Sequence, residues 1–194
     1  MPSLQPTRRL VLVEGESDAN AVRALAARIG CDLGLCRIDI VPAGGVTNFA
    51  NVLSTYLRAH PRAHVCGMYD TADEWHVRRA LTKAEILISG GGSIEEAGFF
   101  ACIDDLEDEL IRALGVQTVE RVVEEQAELD SFRSFQAMPQ HRNSPTHRQL
   151  HRFLGTRANR KIRSAKRLVE ALDLAKLPRP LLKLAAHLRA EDDA

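Results

Sequence analysis

At 194 residues, the chain is long enough to bury a substantial core, and one domain or one domain with an appendage is expected. No apolar run approaches a bilayer span, and Arg8 and Arg9 are followed by no long apolar stretch or cleavage site, so no membrane association and cytoplasmic residence are the expectations. Formal net charge is zero, from 26 basic and 26 acidic residues, and Cys31, Cys36, Cys66 and Cys102 form no CxxC pair, which argues for reduced thiols over disulfides or zinc.

The first predicted element is the strand Leu10-Val11-Leu12-Val13, apolar without alternation and therefore suited to a central position covered on both faces. It delivers Glu14 at its carboxyl end. Gly15 permits a tight turn, and Ser17 is the expected N-cap of a helix with apolar positions Ala19, Val22, Leu25, Ala26 and Ile29. Asp18 then lies in the first turn. After Gly30, the expected C-cap, a second strand spans Ile38 to Val41 and is closed by Pro42. Gly44-Gly45 makes a turn, and Thr47 is expected to cap a helix carrying Phe49, Val52, Leu53, Tyr56 and Leu57 up to His60-Pro61. The third strand, His64 to Tyr69, ends in Asp70 and is followed by Thr71, Ala72, Asp73 and Glu74.

Alternating strands and helices imply right-handed crossovers and an α/β fold with a central, mostly parallel sheet. In a 2-1-3 strand order the first and third strands flank the switch point, where Glu14 and Asp70 meet near Asp18. Carboxylates crowded in a partly desolvated cleft repel, so they raise a pKa or hold a hard cation. Ligation by oxygen alone favours magnesium or manganese over zinc. The competing reading gives Glu14 no role beyond ending a strand and Asp18 none beyond favouring a helix dipole.

A third helix is expected around Trp75 to Lys83, then a strand through Glu85-Ile86-Leu87-Ile88. Gly90-Gly91-Gly92-Ser93 lacks a following lysine-serine or lysine-threonine at Walker spacing, so it reads as a connection, and the chain has no ATPase motif. Gly98 to Ile103 is an apolar strand leading to Asp104-Asp105-Leu106-Glu107-Asp108-Glu109. These acids open a helix through Leu106, Leu110, Ile111 and Leu114, either as a functional strand end or as solvated acids on a first turn. From Val116 the pattern is helical: 116–129, a short segment through Phe132 and Phe135, 146–154, 159–172, and a last helix after Pro180. The expected division is an α/β core over 1–103 and a helical appendage over 104–194, packed on the core, with Pro139 to Pro145 its most exposed connection.

Zero net charge conceals a segregation. Residues 95–130 hold 12 acids against Arg112 and Arg121, whereas residues 133–183 hold 13 bases against Glu170 and Asp173. Such a basic block can bind a polyphosphate backbone or pack against the acidic block of its own chain.

Glu14-Gly15-Glu16-Ser17-Asp18 after an apolar strand, Gly44-Gly45 after the second strand and Tyr69-Asp70 after the third together resemble the TOPRIM fold, a Rossmann-like fold of type IA and type II topoisomerases, bacterial primases and OLD (overcoming lysogenization defect) nucleases. The glutamate-glycine-x-serine-aspartate form, Asp105-Leu106-Glu107 and the basic helix with Arg160-Lys161 look most like the OLD C-terminal nuclease domain, over nearly all of residues 8–190. The resemblance implies a divalent-metal-dependent endonuclease hydrolysing phosphodiester bonds in DNA or RNA. It places Glu14, Asp18, Asp70 and Glu107 on one or two Mg2+ or Mn2+ ions. Ala72 stands where the family has its second aspartate, so Asp73 or Glu74 would have to substitute.

In the same resemblance Lys161, in preference to Lys166, assists at the phosphate, and Glu14 is assigned to ligation, with general base as its alternative role. Arg157, Arg160, Lys161, Arg163, Lys166 and Arg167 would contact the nucleic-acid backbone. An ATPase would act in trans, and a homodimer is left open. Two rivals remain: a catalytically decayed nucleic-acid-binding or adaptor module, motivated by Ala72, and nucleotidyl transfer. Strand passage would need a catalytic tyrosine, and the chain has only Tyr56 and Tyr69.

Overall fold

The computed structural model describes residues 7–86 and 92–189. The first apolar run becomes strand β1 (Arg9–Val13), and both its faces are covered. Leu10 and Leu12 enter one hydrophobic cluster, Val11 and Val13 the other, and none of the four is more than 1% exposed. β1 pairs with β2 (Ile38–Pro42) on one side and β3 (His64–Asp70) on the other, and β4 (Phe99–Cys102) lies beyond β3. All pairings are parallel and the order is β2-β1-β3-β4, which is the expected switch between the first and third strands. Gly67 in β3 is dictated by close approach: a Cβ there would stand 2.2 Å from the Leu12 carbonyl oxygen and 2.8 Å from the Phe99 ring.

One face of the sheet is covered by α2 (Phe49–Ala59) and α3 (Glu74–Lys83), through Phe49, Leu53, Val77 and Leu81. The other is covered by α1 (Glu16–Arg28) and α9 (Arg179–Arg189), and α8 (Ala158–Ala171) packs against α1. The remaining helices are α4 (Leu106–Leu114), α5 (Val116–Glu125), α6 (Leu129–Ala137) and α7 (Thr146–Gly155). Ala165, Leu168 and Val169 of α8 share a cluster with Ala19, Val22 and Ala26 of α1. The Arg28 guanidinium fastens the pair by donating to the carbonyls of Val169 at 2.8 Å and Leu172 at 2.6 Å, at the α8 C-terminus where carbonyls lack helical partners.

Several local expectations are corrected. The cap of α1 is Gly15, not Ser17: the Asp18 carboxylate accepts from the Gly15 N–H at 3.0 Å, while Ser17 is buried in the first turn. Thr47 does not cap α2, because a 3-10 turn over Val46–Asn48 precedes that helix. Glu85 adopts φ 58° at the end of α3, so a strand does not begin there; Leu87, Ile88, Gly90 and Gly91 lie outside the described residues. The helix expected over 116–129 ends at Glu125, before Ala127 takes φ 56°, and the short segment expected through Phe132 and Phe135 is the helix that starts at Leu129.

Candidate metal centre

Three carboxylates gather at the carboxyl end of the sheet. Glu14 follows β1, Asp70 ends β3, and a 3-10 turn over Thr71–Asp73 brings Asp73 round to them; one oxygen of each lies within 4.8 Å of the others. The turn matters because Ala72 stands where an acid would otherwise be expected. The tighter winding of a 3-10 segment carries the next acid, one residue later, onto the same face. The Thr71 hydroxyl donates to the Cys102 carbonyl at 2.7 Å and ties this turn to the end of β4. On the other side, the N–H groups of Gly44 and Gly45 donate to the Glu14 carbonyl at 3.0 and 3.1 Å. Their φ values of 73° and 118° are those glycine adopts without strain, so the second-strand turn clamps the backbone that presents Glu14.

None of the three has an ion-pair partner among the described residues, and the electrostatics record the crowding. Burial, followed by the charges of Glu14, Asp105 and Asp18, lifts Asp70 from 3.8 to about 7. Burial, then Asp73 and Asp18, raises Glu14. Burial also raises Asp18, against the Gly15 N–H that favours its charged form. Partly buried carboxylates that repel one another and lack a cation are a donor set for a hard divalent ion, and all three supply oxygen.

Glu107 sits close by on α4, 2% exposed, with Lys161 Nζ 3.3 Å from Oε2. That contact is an ion pair without hydrogen-bond geometry, so both Glu107 oxygens lack a donor among the described residues. Burial lifts Glu107 to about 7 in spite of the lysine. For Lys161 itself burial works downward, and Glu107, Asp18 and Asp105 together outweigh it, leaving the ammonium charged and its pKa raised. Lys161 faces the acids, whereas Lys166 reaches only Glu170, at 3.8 Å on the surface.

His151 is a neighbour that the sequence did not single out, and Asp105, quoted there only as part of Asp105-Leu106-Glu107, was given no role. Asp105 caps α4 by accepting from the Asp108 N–H at 2.8 Å, and its other oxygen meets His151 Nε2 at 2.8 Å. Burial would raise Asp105, but the bonds from His151 and the Asp108 amide outweigh it and hold it low. The Asp105-x-x-Asp108 spacing of an N-cap was the available signal; His151 had none. Both line a cavity of about 300 Å3 together with Glu107, Arg152, Gly155, Thr156 and Lys161.

The proposed nucleic-acid contacts fare unevenly. Arg160 is 7% exposed, pairs with Glu128, donates to the Phe153 carbonyl at 3.2 Å and lies 3.9 Å over the Phe153 ring. Arg163 shares Glu128 and the Gln126 side chain. Arg167 pairs with Glu170 at 3.0 Å. Arg157 is exposed with no acidic partner among the described residues. The acids of α4 are not solvated: Glu107, Asp108 and Glu109 are buried, Asp108 and Glu109 on Arg112, with His147 also against Asp108. Neither tyrosine is poised as a nucleophile, since Tyr69 is buried and the Tyr56 hydroxyl is held on Asp39 at 2.5 Å.

Residues 7–65 match the family described as overcoming lysogenization defect protein-like, TOPRIM domain. Among solved structures, the C-terminal region of the Xanthomonas campestris pv. campestris OLD protein aligns with a TM-score of 0.64 at 21% identity, over 94% of this chain and 95% of that one. The C-terminal region of the Burkholderia pseudomallei OLD protein aligns with a TM-score of 0.66 at 19% identity, over 94% and 97%. No curated protein matches. No helix among the described residues is long and apolar enough to cross a membrane. Residues 7–65 thus carry an OLD-like TOPRIM segment, and the chain as a whole has the fold of an OLD C-terminal region.

Proposed function

We propose that this protein is a divalent-metal-dependent nuclease that hydrolyses phosphodiester bonds in DNA or RNA. The observation that carries the reading is the convergence of Glu14, Asp70 and Asp73, none of which has an ion-pair partner among the described residues. These three would hold Mg2+ or Mn2+. Glu107 has two donorless oxygens to offer, and Asp18 keeps one oxygen beyond its bond to Gly15. A bound ion would polarise a phosphoryl oxygen and lower the pKa of its water.

The protein's own part is to bind and orient. Lys161, charged and held beside Glu107, would neutralise charge developing on the phosphoryl group. Glu14 serves better as ligand than as general base, because a carboxylate committed to a metal is a poor proton acceptor. An ATPase supplied by another chain, and a cytoplasmic setting, complete the proposal. The test is cleavage of single- and double-stranded DNA and RNA with Mg2+, Mn2+ or chelator. Metal-dependent cleavage that is lost in Glu14→Gln supports the reading; no cleavage of any substrate in either metal contradicts it.

A further inference from the structure

Helix α3 begins directly after Asp73 and buries Val77, Ala80 and Leu81. Its opposite face carries an aromatic ring and two basic side chains. Trp75, the sole tryptophan of the chain, is 62% exposed two residues beyond Asp73. A large aromatic ring left in water forgoes the stabilisation its burial would bring, and this one stands in the first turn of the helix that follows Asp73. Arg79 lies 5.5 Å over the indole, and the His76 ring meets it edge-on at 4.9 Å. Trp75, Arg79 and Lys83 recur at i, i+4 and i+8, one line along the helix. Arg78 is engaged with Glu74 at 3.3 Å, whereas Arg79 and Lys83 have no acidic partner among the described residues.

We propose that this face of α3 is a single-strand nucleic-acid platform, on which Trp75 stacks an unpaired base beside the acidic cluster while Arg79 and Lys83 take neighbouring phosphates. The inference rests on reading the cluster as a nucleic-acid site and adds the form of substrate, a single strand or a frayed end. An aromatic ring interleaved with free cations suits a base-and-phosphate ligand. Stacking is indifferent to base identity because every base offers a π face, so little sequence preference is expected. Two basic side chains with no acidic partner among the described residues, Arg79 over the ring and Lys83 further along, also distinguish this face from an apolar protein-docking surface.

Because Trp75 is the only tryptophan, its fluorescence reports this site alone. The whole chain, in chelator so that nothing is cleaved, is titrated with oligothymidylate, with a duplex of the same length and with inorganic polyphosphate. Binding is followed in parallel by anisotropy of a labelled oligonucleotide. Oligothymidylate is expected to quench the indole, and polyphosphate to leave it unchanged. Trp75→Ala is expected to weaken single-strand binding on the order of ten-fold, with Trp75→Phe retaining most of it. Replacing both Arg79 and Lys83 by alanine should lower the salt slope of binding by about 1.4.

Unchanged emission at saturating oligonucleotide, Trp75→Ala binding like the wild type, or no oligonucleotide binding at all overturns the inference; the last outcome would turn the face over to a protein partner. The two readings fail separately. A chain that binds and is quenched but cleaves nothing loses the nuclease and keeps the platform; one whose Trp75→Ala form binds and cleaves single strands normally loses the platform and keeps the nuclease.

Discussion

The β3–α3 corner and the C-terminal helices are built from the same charged side chains and treat them in opposite ways. Around α8, apart from Arg157 and the Lys161–Glu107 pair at the site, the charges are mostly answered within the molecule: Arg160 and Arg163 by Glu128 and, further along, Arg179 and Lys183 by Glu95. At the corner neither the acids Glu14, Asp70 and Asp73 nor the bases Arg79 and Lys83 have an ion-pair partner among the described residues. Answered charges hold a fold in place; unanswered ones are available to something that binds. The basic block that dominates the sequence is therefore mostly internal wiring, with Arg157 an exception, whereas on α3 Arg79 and Lys83 lack an acidic partner among the described residues.

The largest expected effect lies at the corner. Asp70→Asn, like Glu14→Gln, is expected to lower metal-dependent cleavage by at least about 1,000-fold, measured as initial rate on a labelled oligonucleotide. Because Asp70 is held against repulsion and not by a partner, its removal should leave the metal-free fold intact or raise its Tm by about 2–4 °C at pH 8. A collapsed fold would make Asp70 a structural residue and erase the contrast.

The next effect lies among the answered charges. Arg160→Ala leaves Glu128 only its exposed partner Arg163, opens the space over Phe153 and should cost about 3 kcal/mol in urea unfolding. Arg163→Ala, at the exposed end of the same carboxylate, should cost under about 1 kcal/mol. Equal costs would mean that burial does not distinguish the two arginines.

Much of this division was legible in the sequence. The unalternating Leu10–Val13 run announced a strand covered on both sides, and Glu14 and Asp70 at the ends of the first and third strands announced a shared site. Two features were not legible. The pairing of acidic and basic blocks depends on α8 lying against α1 and α4, a packing that charge counts along the chain do not encode. The role of Asp73 depends on a 3-10 turn, and a shift of one residue in winding decides whether Ala72 or Asp73 faces the site. Trp75 read as an ordinary helix residue because exposure is a property of packing.

A smaller effect is the dependence of stability on pH without metal. Asp70 titrates near about 7 in the fold against an ordinary 3.8, and Glu107 near about 7 against 4.5. The native state therefore holds protons that the unfolded chain has released. Through these groups, stability is greatest at the acidic end of that window, falls as pH rises from about 4 to about 7 and levels off above. Mn2+ should oppose the fall, stabilising more at pH 8 than at pH 5. The smallest effect is expected from Lys166→Ala: its contact with Glu170 is exposed, and both Tm and cleavage should stay near wild type, in contrast to Lys161→Ala, which should slow cleavage.

Calorimetric titration of Mn2+ into the wild-type chain and into Asp70→Asn at pH 8 reaches the central claim without passing through catalysis. Saturable binding by the wild type, lost or strongly weakened in the variant, is the predicted result. No wild-type binding up to millimolar metal, or equal binding by both proteins, would contradict the assignment of the strand-end acids as a metal centre.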